Sequence, residues 1–497
     1  MNEISEPHAI AEPLYELVQA LNECGVAWCY WKSRRHLNAA LSGRSDLDLL
    51  AIQADHALLQ RTLMECGFKL FPSAHFRDDP GVASFLGFDE ASGRLLHVHV
   101  HFVIVMGHAL LKNYRLPWAR SILSRAVPHP TLPIRMPDPA TEALLLLLRR
   151  SLDVSKADPV ALHNWREKTA RLAAAQEALR RDVDRAALHA RAIELLGEDL
   201  AEPVTAEFFA PARPVPAALG RKIRRTLAPW RRYNAAEALL RASGRAAALA
   251  WDTVNTRFLH APRPMRRRPF AGGLVIAMLG VDGSGKTTLT RTIRTWLVTE
   301  MDVMPIYFGT GGGRPSLILA PLKVMVPLAR KLMRRKPAGA SHGQVSDLPP
   351  GPVYGCLLAL WATALAIEKR RKLTAAYRGA ARGAVVVADR FPQDQLPSFN
   401  DGPLLPRLRA VPAWLRRFEA RSYALARRLP PDLVIRLDAT LDVLGRREPD
   451  MDRAVLVART EAVTQLVFPD VPLVAIDATA PLDEVVRRAK REIWRRL

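Results

Sequence analysis

The sequence predicts an α/β protein with two α/β domains and a helical, basic connector between them. In the first domain, residues 1–135, short apolar runs alternate with helical stretches. The connector, residues 136–260, is helical in pattern and rich in Ala, Leu and Arg. In residues 265–497, buried-strand runs alternate with helical segments, which predicts a doubly wound parallel sheet.

Length and composition agree with this division. A chain of 497 residues exceeds the roughly 250–300 residues at which a single core stops growing. Hydrophobic residues make up 49% and charged residues 24%, which is ordinary usage for globular proteins. These values exclude a wholly disordered chain and a membrane protein with many spans.

The chain is strongly basic, with a formal net charge of +23. Such an excess favours anionic partners, but Arg and Ala are abundant throughout and no nucleic-acid module is recognisable. We therefore expect no specific nucleic-acid partner. The most basic stretch, residues 221–268, has thirteen Lys or Arg against two acids, and we place the interdomain linker at its proline-rich end, residues 260–269.

Cysteine usage and the N-terminus predict a cytoplasmic protein. The four cysteines form no C-x-x-C pair, and the first residues are acidic, without the order of a secretory signal. Two apolar stretches, residues 317–328 and 353–367, are shorter than the ~20 residues of a membrane span. We interpret both as buried helices. Because basic residues follow each apolar stretch, peripheral contact with a membrane is the alternative. The sequence is also compatible with a homodimer.

A glycine-rich loop carries the strongest functional signal. Residues 280–288 read Gly-Val-Asp-Gly-Ser-Gly-Lys-Thr-Thr, after an apolar strand and before a segment with helical spacing. We call these nine residues the phosphate-binding loop. This order predicts a nucleoside triphosphate site with ATP and Mg²⁺ as cofactors, in which Lys286 reaches the transferred phosphoryl group and Thr287 holds the metal. The predicted nucleotide-binding residues are Gly280, Gly283, Ser284, Gly285, Lys286, Thr287 and Thr288.

A second apolar run, residues 384–388, ends in Asp389 and Arg390. An acid at the carboxyl end of a buried strand can hold Mg²⁺, and the adjacent arginine can grip an anionic acceptor. Two further strands are predicted at residues 433–438 and 474–477.

Four landmarks together resemble the thymidylate kinase family of nucleoside monophosphate kinases. They are residues 279–289, Asp389-Arg-Phe, residues 431–438 and residues 476–486, and the resemblance covers residues 274–497. It implies transfer of the γ-phosphoryl group of ATP to a nucleoside monophosphate, with dTMP as the leading acceptor. By the same resemblance, Asp282 organises acceptor and metal, Arg390 contacts the monophosphate, and a lid supplies Arg446, Arg447 and Arg453. The implied catalytic set is Lys286, Asp282, Asp389, Arg390, Arg446 and Arg447.

The acceptor side departs from that family. Residues 308–315 read Phe-Gly-Thr-Gly-Gly-Gly-Arg-Pro where the family has Arg-Glu-Pro-Gly-Gly, and a long insertion follows. Two alternatives therefore remain open. The acceptor is a sugar or a lipid-linked saccharide at a membrane surface, or the protein is a nucleotide-gated regulator without an acceptor.

The N-terminal domain resembles the nucleotidyltransferase fold more weakly. Residues 43–50, Gly-Arg-Ser-Asp-Leu-Asp-Leu-Leu, place Asp46 and Asp48 on one strand face, close enough to share a divalent metal. Lys32 stands where that family has glycine. The strand expected to supply a third acid reads His-Val-His-Val-His, which puts His97, His99 and His101 on one face. We prefer a nucleotide-binding module with weak catalysis. The alternatives are a transition-metal site on the histidines, or activity with both acids and a histidine as ligands.

Overall fold

A computed structural model describes residues 10–74, 79, 81–107, 111–152, 165–211, 214–255, 258, 266–309, 352–397, 401–407 and 411–497. Two compact units make up the chain, Met1–Asn255 and Thr256–Leu497. Most of the predicted linker at residues 260–269 and the whole apolar stretch at residues 317–328 lie outside the described residues.

The N-terminal unit is built on a mixed five-stranded sheet. Its strand order is β1-β2-β5-β4-β3, in which β2 and β5 run parallel and the other neighbours are antiparallel. The strands are β1 (Trp28–Tyr30), β2 (Leu47–Ala51), β3 (Lys69–Leu70), β4 (Val82–Asp89) and β5 (Arg94–His101). Helix α1 (Glu12–Glu23) precedes β1, and the helices between strands are α2 (Leu37–Leu41) and α3 (His56–Glu65).

Alternation along β2 and β5 gives this sheet one apolar face. Leu47, Leu49, Val98 and Val100 are fully buried and share a core with the apolar side of α1. Since successive strand residues point to opposite faces, the acids and histidines of these two strands share the other face. Two short hairpins and a helix follow: β6 (Ile104–Met106) with β7 (Tyr114–Leu116), α4 (Ala119–Leu123), and β8 (Val127–Pro128) with β9 (Arg135–Met136).

The helical segment belongs to the same unit as the sheet. Its first helix, α5 (Pro139–Leu152), is buried along nearly its whole length, as expected for a helix that is apolar on most sides. Leu144 and Leu148 of α5 share one core with Leu50 of β2. The remaining helices are α6 (Trp165–Leu179), α7 (Arg185–Leu196), α8 (Glu198–Phe209), α9 (Ala217–Thr226) and α10 (Ala235–Val254).

The C-terminal unit contains the predicted doubly wound parallel sheet, which is confirmed. Five parallel strands have the order β11-β12-β10-β13-β14. The strands are β10 (Val275–Gly280), β11 (Val303–Tyr307), β12 (Val385–Asp389), β13 (Leu433–Asp438) and β14 (Leu473–Asp477). The helices are α11 (Lys286–Val298), α12 (Pro352–Ala380), α13 (Ala413–Arg428), α14 (Leu441–Arg447), α15 (Arg453–Thr464) and α16 (Leu482–Arg496).

The strand order reverses at β10, and this reversal positions the site. Strand β10 pairs with β12 on one side and with β13 on the other. Ligands of doubly wound sheets bind in the crevice beyond the carboxyl ends of the strands at such a switch point. The phosphate-binding loop follows β10, and Asp389 ends the neighbouring β12, where it lies opposite Met278.

The apolar stretch at residues 353–367 lies in α12, a helix of 29 residues. Its alanines Ala359, Ala362 and Ala366 are buried, whereas Leu360 is exposed. Among the described helices, none combines the length and apolar character that crossing a membrane demands.

Packing of α11 against the sheet predicts a stability difference between two leucines. Leu297 of α11 is fully buried, whereas Leu482 of α16 is 57% exposed. We expect Leu297→Ala to lower the free energy of unfolding of the C-terminal unit by about 2–5 kcal/mol because it leaves a cavity. The matched variant Leu482→Ala changes it by less than about 0.5 kcal/mol. Urea unfolding of the full chain measures both, and equal midpoints for the two variants would contradict this packing.

Candidate functional site

Backbone geometry makes the phosphate-binding loop tight. Gly280 ends β10 with φ +147°, and a Cβ there would lie 2.5 Å from Ser284 Oγ and 2.9 Å from the carbonyl oxygen of Leu437. Gly285 adopts φ +92° at the N-cap of α11. Side chains are disfavoured at both positions, so the glycine spacing in the sequence is what lets the loop turn directly into the helix.

Lys286 is a buried cation at the first turn of α11. Its side chain is 6% exposed, and Nζ donates to the carbonyl oxygen of Val281 at 2.6 Å. Nζ also lies 3.8 Å from Asp282 Oδ1. Burial, reinforced by the Arg390 charge, lowers the pKa of Lys286 to about 8, against the opposing pull of nearby carboxylates. The ammonium group is therefore held inside the loop and is still mostly charged at neutral pH.

Thr287 and Asp389 meet where β12 ends. Thr287 Oγ1 donates to Asp389 Oδ2 at 2.9 Å. Asp389 is 5% exposed, and its Oδ1, like Ser284 Oγ, has no hydrogen-bond partner in the part of the chain that the structure describes. Burial raises the pKa of Asp389. A buried carboxylate oxygen without a partner beside a threonine hydroxyl is a donor set that a hard divalent cation prefers.

Asp282 is the centre of an ion-pair cluster. Its Oδ1 accepts from Arg390 Nη2 at 2.6 Å, and its Oδ2 accepts from Arg459 Nη1 at 2.7 Å. With Lys286 at 3.8 Å, three cations surround one carboxylate. The structure thus brings Asp282, Lys286 and Arg390 together.

Arg459 was not predicted as a site residue. It lies on α15, 177 positions along the chain from Asp282, and is 6% exposed. One sequence signal could have identified it. Leu456 and Val463 flank Arg459 at helical spacing and are buried, so an arginine on the apolar face of this helix requires a buried anionic partner.

Arg390 also faces a second carboxylate. It has φ +69°, uncommon for a residue other than glycine, and its Nη1 lies 3.4 Å from Asp401 Oδ2. Lys369 of α12 holds Asp401 in turn, with Nζ 2.7 Å from the Asp401 carbonyl oxygen and 3.3 Å from Oδ1. Lys369 is 5% exposed, and its burial lowers its pKa. Lys369 and Asp401 were also missed, because the segments that carry them meet only in the folded chain.

The proposed lid arginines differ in position. Arg447, at the end of α14, donates to the carbonyl oxygens of Gly283 at 3.1 Å and Ala478 at 3.3 Å, so it contacts the phosphate-binding loop. Arg446 is exposed. Arg453 is 80% exposed and lies 3.9 Å from Asp442. Of the altered stretch at residues 308–315, the structure describes only residues 308 and 309.

The N-terminal unit has a separate cluster of acids and histidines. Asp46 Oδ1 lies 3.0 Å from His97 Nδ1, and Asp48 Oδ1 lies 2.9 Å from His101 Nε2. His99 Nδ1 is 3.6 Å from a carboxylate oxygen of each acid. The structure brings together the five residues that the sequence singled out.

Protonation in this cluster follows from burial and charge. Burial acts to raise the pKa of Asp48, but the nearby Lys32 ammonium, 3.3 Å away, and hydrogen bonds from the histidines outweigh it and hold the pKa well below its usual range. Burial lowers the pKa of His101 to about 3 despite the hydrogen bond to Asp48. At neutral pH, Asp48 is therefore a carboxylate and His101 a neutral imidazole.

The C-terminal fold and site define the class of protein. The first strand of the parallel sheet runs through a glycine-rich turn into a helix, and Lys286, Thr287 and Asp389 lie at this turn. This arrangement is an α/β phosphate-binding-loop fold.

Two relatives from Escherichia coli K12 give the family. The chain is 31% identical over 224 residues to the uncharacterized ATP-binding protein YghS. This alignment covers 44% of this chain and 92% of YghS. It is 30% identical over 254 residues to the uncharacterized ATP-binding protein YghR, with 50% of this chain and 94% of YghR covered. The chain belongs to the family of these ATP-binding proteins.

Other comparisons add little. No protein-family model matches the chain. The crystal structure of an unliganded sugar kinase from Janibacter sp. HTCC2649 aligns with 14% identity over 44% of this chain and 94% of that protein, with a TM-score of 0.22. A TM-score of this size establishes no shared fold.

Lys286 gives the free energy of unfolding a distinct pH dependence. Its pKa is about 8 in the folded chain, against 10.5 for the ordinary side chain. At pH values between these two pKa values, the unfolded chain binds more protons than the folded chain. The free energy of unfolding therefore rises with pH in this range. We expect wild type to gain about 1–3 kcal/mol relative to Lys286→Met between pH 8 and 10.5. Urea unfolding at both pH values measures this difference; parallel stability curves would show that the burial of this ammonium has no such effect.

Proposed function

We propose that the C-terminal unit transfers the γ-phosphoryl group of ATP to a nucleoside monophosphate, with dTMP as the leading acceptor. The description of YghS and YghR as ATP-binding proteins supports the donor. One observation carries the proposal: Lys286, Arg390 and Arg459 converge on Asp282 beside the phosphate-binding loop. Fixed cations at this place stabilise the charge that spreads over a phosphoryl group in transfer.

The loop and the N-terminus of α11 hold the donor phosphates in this proposal. Backbone N–H groups of the loop point toward the anion, and the helix dipole adds a positive potential there. Lys286 exchanges its bond with the Val281 carbonyl oxygen for a phosphate oxygen, because an anion is a stronger acceptor than a carbonyl. Arg447, which already contacts Gly283, lies close enough to join them.

Thr287 and Asp389 are the residues that would hold Mg²⁺. The unpartnered Oδ1 of Asp389 and the Thr287 hydroxyl fit that ion. A bound Mg²⁺ supplies positive charge to the phosphate oxygens of the donor. Asp389 has to be ionised for this role, and an approaching cation would favour its charged form.

Arg390 is the residue placed to orient the acceptor. It lies at the carboxyl end of β12, one position after Asp389, and its guanidinium is fixed by Asp282 at 2.6 Å. A guanidinium can bind a phosphate through two parallel N–H groups. In a monophosphate complex, we expect the phosphate to take over N–H groups that now face Asp401, while Lys369 retains that acid.

A second acceptor class is supported by the charge balance around Arg390. Its guanidinium already faces two carboxylates, Asp282 and Asp401, so much of its own charge is compensated before any acceptor binds. An uncharged hydroxyl of a sugar or lipid-linked saccharide fits such a site, with Asp282 accepting its proton. This acceptor is the alternative to the nucleoside monophosphate.

Direct transfer of label separates these possibilities. The full chain is incubated with Mg²⁺, ATP labelled in the γ-phosphate, and a panel of nucleoside monophosphates, sugars and saccharide lipids in vesicles. Label in a nucleoside diphosphate supports the proposal, and label in a sugar phosphate supports the alternative. Release of labelled phosphate with no labelled acceptor would contradict both and favour a nucleotide-gated regulator.

Removal of the Lys286 ammonium tests the donor side. We expect Lys286→Ala to lower kcat by about 10²–10³-fold, the loss typical of one preorganised charge at the transferred group. Lys490→Ala is the matched control, because Lys490 lies on α16 over the ring of Trp296, 5.3 Å from its centroid. Steady-state kinetics of both variants measures the effect. Equal activity of the two would remove Lys286 from the mechanism.

Removal of the Arg459 guanidinium tests the role of the ion-pair cluster at Asp282. Arg459→Ala removes the hydrogen bond from Arg459 Nη1 to Asp282 Oδ2 and keeps the one from Arg390 Nη2 to Asp282 Oδ1. We expect kcat to fall about 10–100-fold, as for one charge-assisted hydrogen bond, with KM for ATP nearly unchanged. Arg459→Lys restores part of the loss, and Arg487→Ala on α16 is the control. A change confined to thermal stability would assign Arg459 a purely structural role.

A further inference from the structure

The face of β2 and β5 that points away from the apolar core combines two acids with three histidines. We propose that this face binds one divalent transition-metal ion, with Asp48, His99 and His101 as its protein ligands. All three ligands belong to the N-terminal unit, whereas the phosphate-binding loop belongs to the C-terminal unit.

Strand pairing fixes these residues beside one another. Strands β2 and β5 are parallel, with Asp48 opposite His99 and Leu50 opposite His101. Residues two apart on a strand share a face, so the three alternating histidines form a row beside the two acids. The intervening Leu47, Leu49, Val98 and Val100 are buried in the core on the other side of the sheet. A one-residue shift in strand register would expose these apolar side chains, so the polar row stays on its face.

The distances between the polar atoms are those of ligands around one ion. Asp48 Oδ1 lies 2.9 Å from His101 Nε2 and 3.6 Å from His99 Nδ1. Two ligand atoms that are each about 2.1 Å from a metal, at angles of 90–120°, stand roughly 3.0–3.6 Å apart. Among the described residues, Asp48, His99 and His101 each offer a ligand atom within 4.8 Å of the others.

A second triad shares His99. Asp46, His97 and His99 also offer ligand atoms within 4.8 Å of one another. Asp46 is the more exposed acid, with a side chain that is 47% accessible, against 11% for Asp48. Because His99 belongs to both triads, one ion is expected, and it is assigned to the more buried triad. Asp46 and His97 then lie beside the ion and orient His99.

Burial holds His101 beside Asp48. It is 5% exposed, its Nε2 faces Asp48, and its Nδ1 is buried without a hydrogen-bond partner in the described part of the chain. The rings of His97 and His99 lie with centroids 4.0 Å apart. The imidazole nitrogens of the row are therefore close together, and imidazole is a common ligand of transition metals.

The ligand types select the class of metal. Two imidazoles and one carboxylate suit Zn²⁺, Fe²⁺, Co²⁺ or Mn²⁺, whereas Mg²⁺ prefers oxygen ligands alone. Lys32 competes for the same position, since its Nζ lies 3.3 Å from Asp48 Oδ1. A metal bound to Asp48 must displace this ammonium group.

Metal titration of the full chain tests the site. The protein is stripped with a chelator, and Zn²⁺ and Co²⁺ are added while heat and the visible Co²⁺ spectrum are recorded. We expect one ion per chain with nitrogen and oxygen ligands, retained in millimolar Mg²⁺. Asp48→Asn and His99→Gln weaken binding at least about 10–100-fold. Lys32→Met strengthens it, because the competing cation is gone.

His189→Gln provides the matched control. His189 lies on α7, with a side chain 40% exposed and 3.8 Å from Glu202, and its loss leaves metal affinity unchanged. Circular dichroism shows that each variant is folded, and His99→Gln, at a half-buried position, remains informative if Asp48→Asn does not fold. Absence of stoichiometric binding, equal displacement by Mg²⁺, or full affinity in both Asp48→Asn and His99→Gln would overturn the proposal.

Discussion

The parallel pairing of β10 with β12 is the constraint on which the C-terminal site depends. Met278 lies opposite Asp389 in this register, so the strand that enters the phosphate-binding loop ends beside the strand that supplies the buried acid. Because both strands are buried on both faces, their register cannot slip without exposing apolar residues. Thr287 and Asp389, 102 positions apart in sequence, consequently meet at 2.9 Å.

Electrostatics at this edge of the sheet depends on Asp282. One carboxylate holds Arg390 and Arg459 at hydrogen-bond distance and lies near Lys286, so the cations are fixed before any ligand arrives. Preorganised charges need no rearrangement when a transferred group develops negative charge, and this is why such arrangements contribute strongly to catalysis. The burial that lowers the pKa of Lys286 also strengthens its interaction with an anion.

The sequence predicted the features that depend on local order. The glycine spacing, the apolar strand before it and the helix after it are contiguous, and they gave the loop and the doubly wound sheet. Arg459, Lys369 and Asp401 were missed, since their roles depend on contacts between distant segments; Arg459 and Asp282 are 177 positions apart. In the N-terminal unit, alternation alone put Asp48 and His99 on strand faces, but only the parallel register showed that those faces coincide.

The two units carry different chemistry: a phosphate-binding loop with fixed cations in one, and a row of imidazoles and carboxylates in the other. For the C-terminal unit we propose that ATP loses its γ-phosphoryl group to a small acceptor and not to water. The most direct measurement is the ratio of phosphorylated acceptor to ADP formed in the same reaction, with a nucleoside monophosphate supplied. We expect a ratio of about one, because each phosphoryl transfer forms one ADP and one phosphorylated acceptor. ADP formation without phosphorylated acceptor would contradict it.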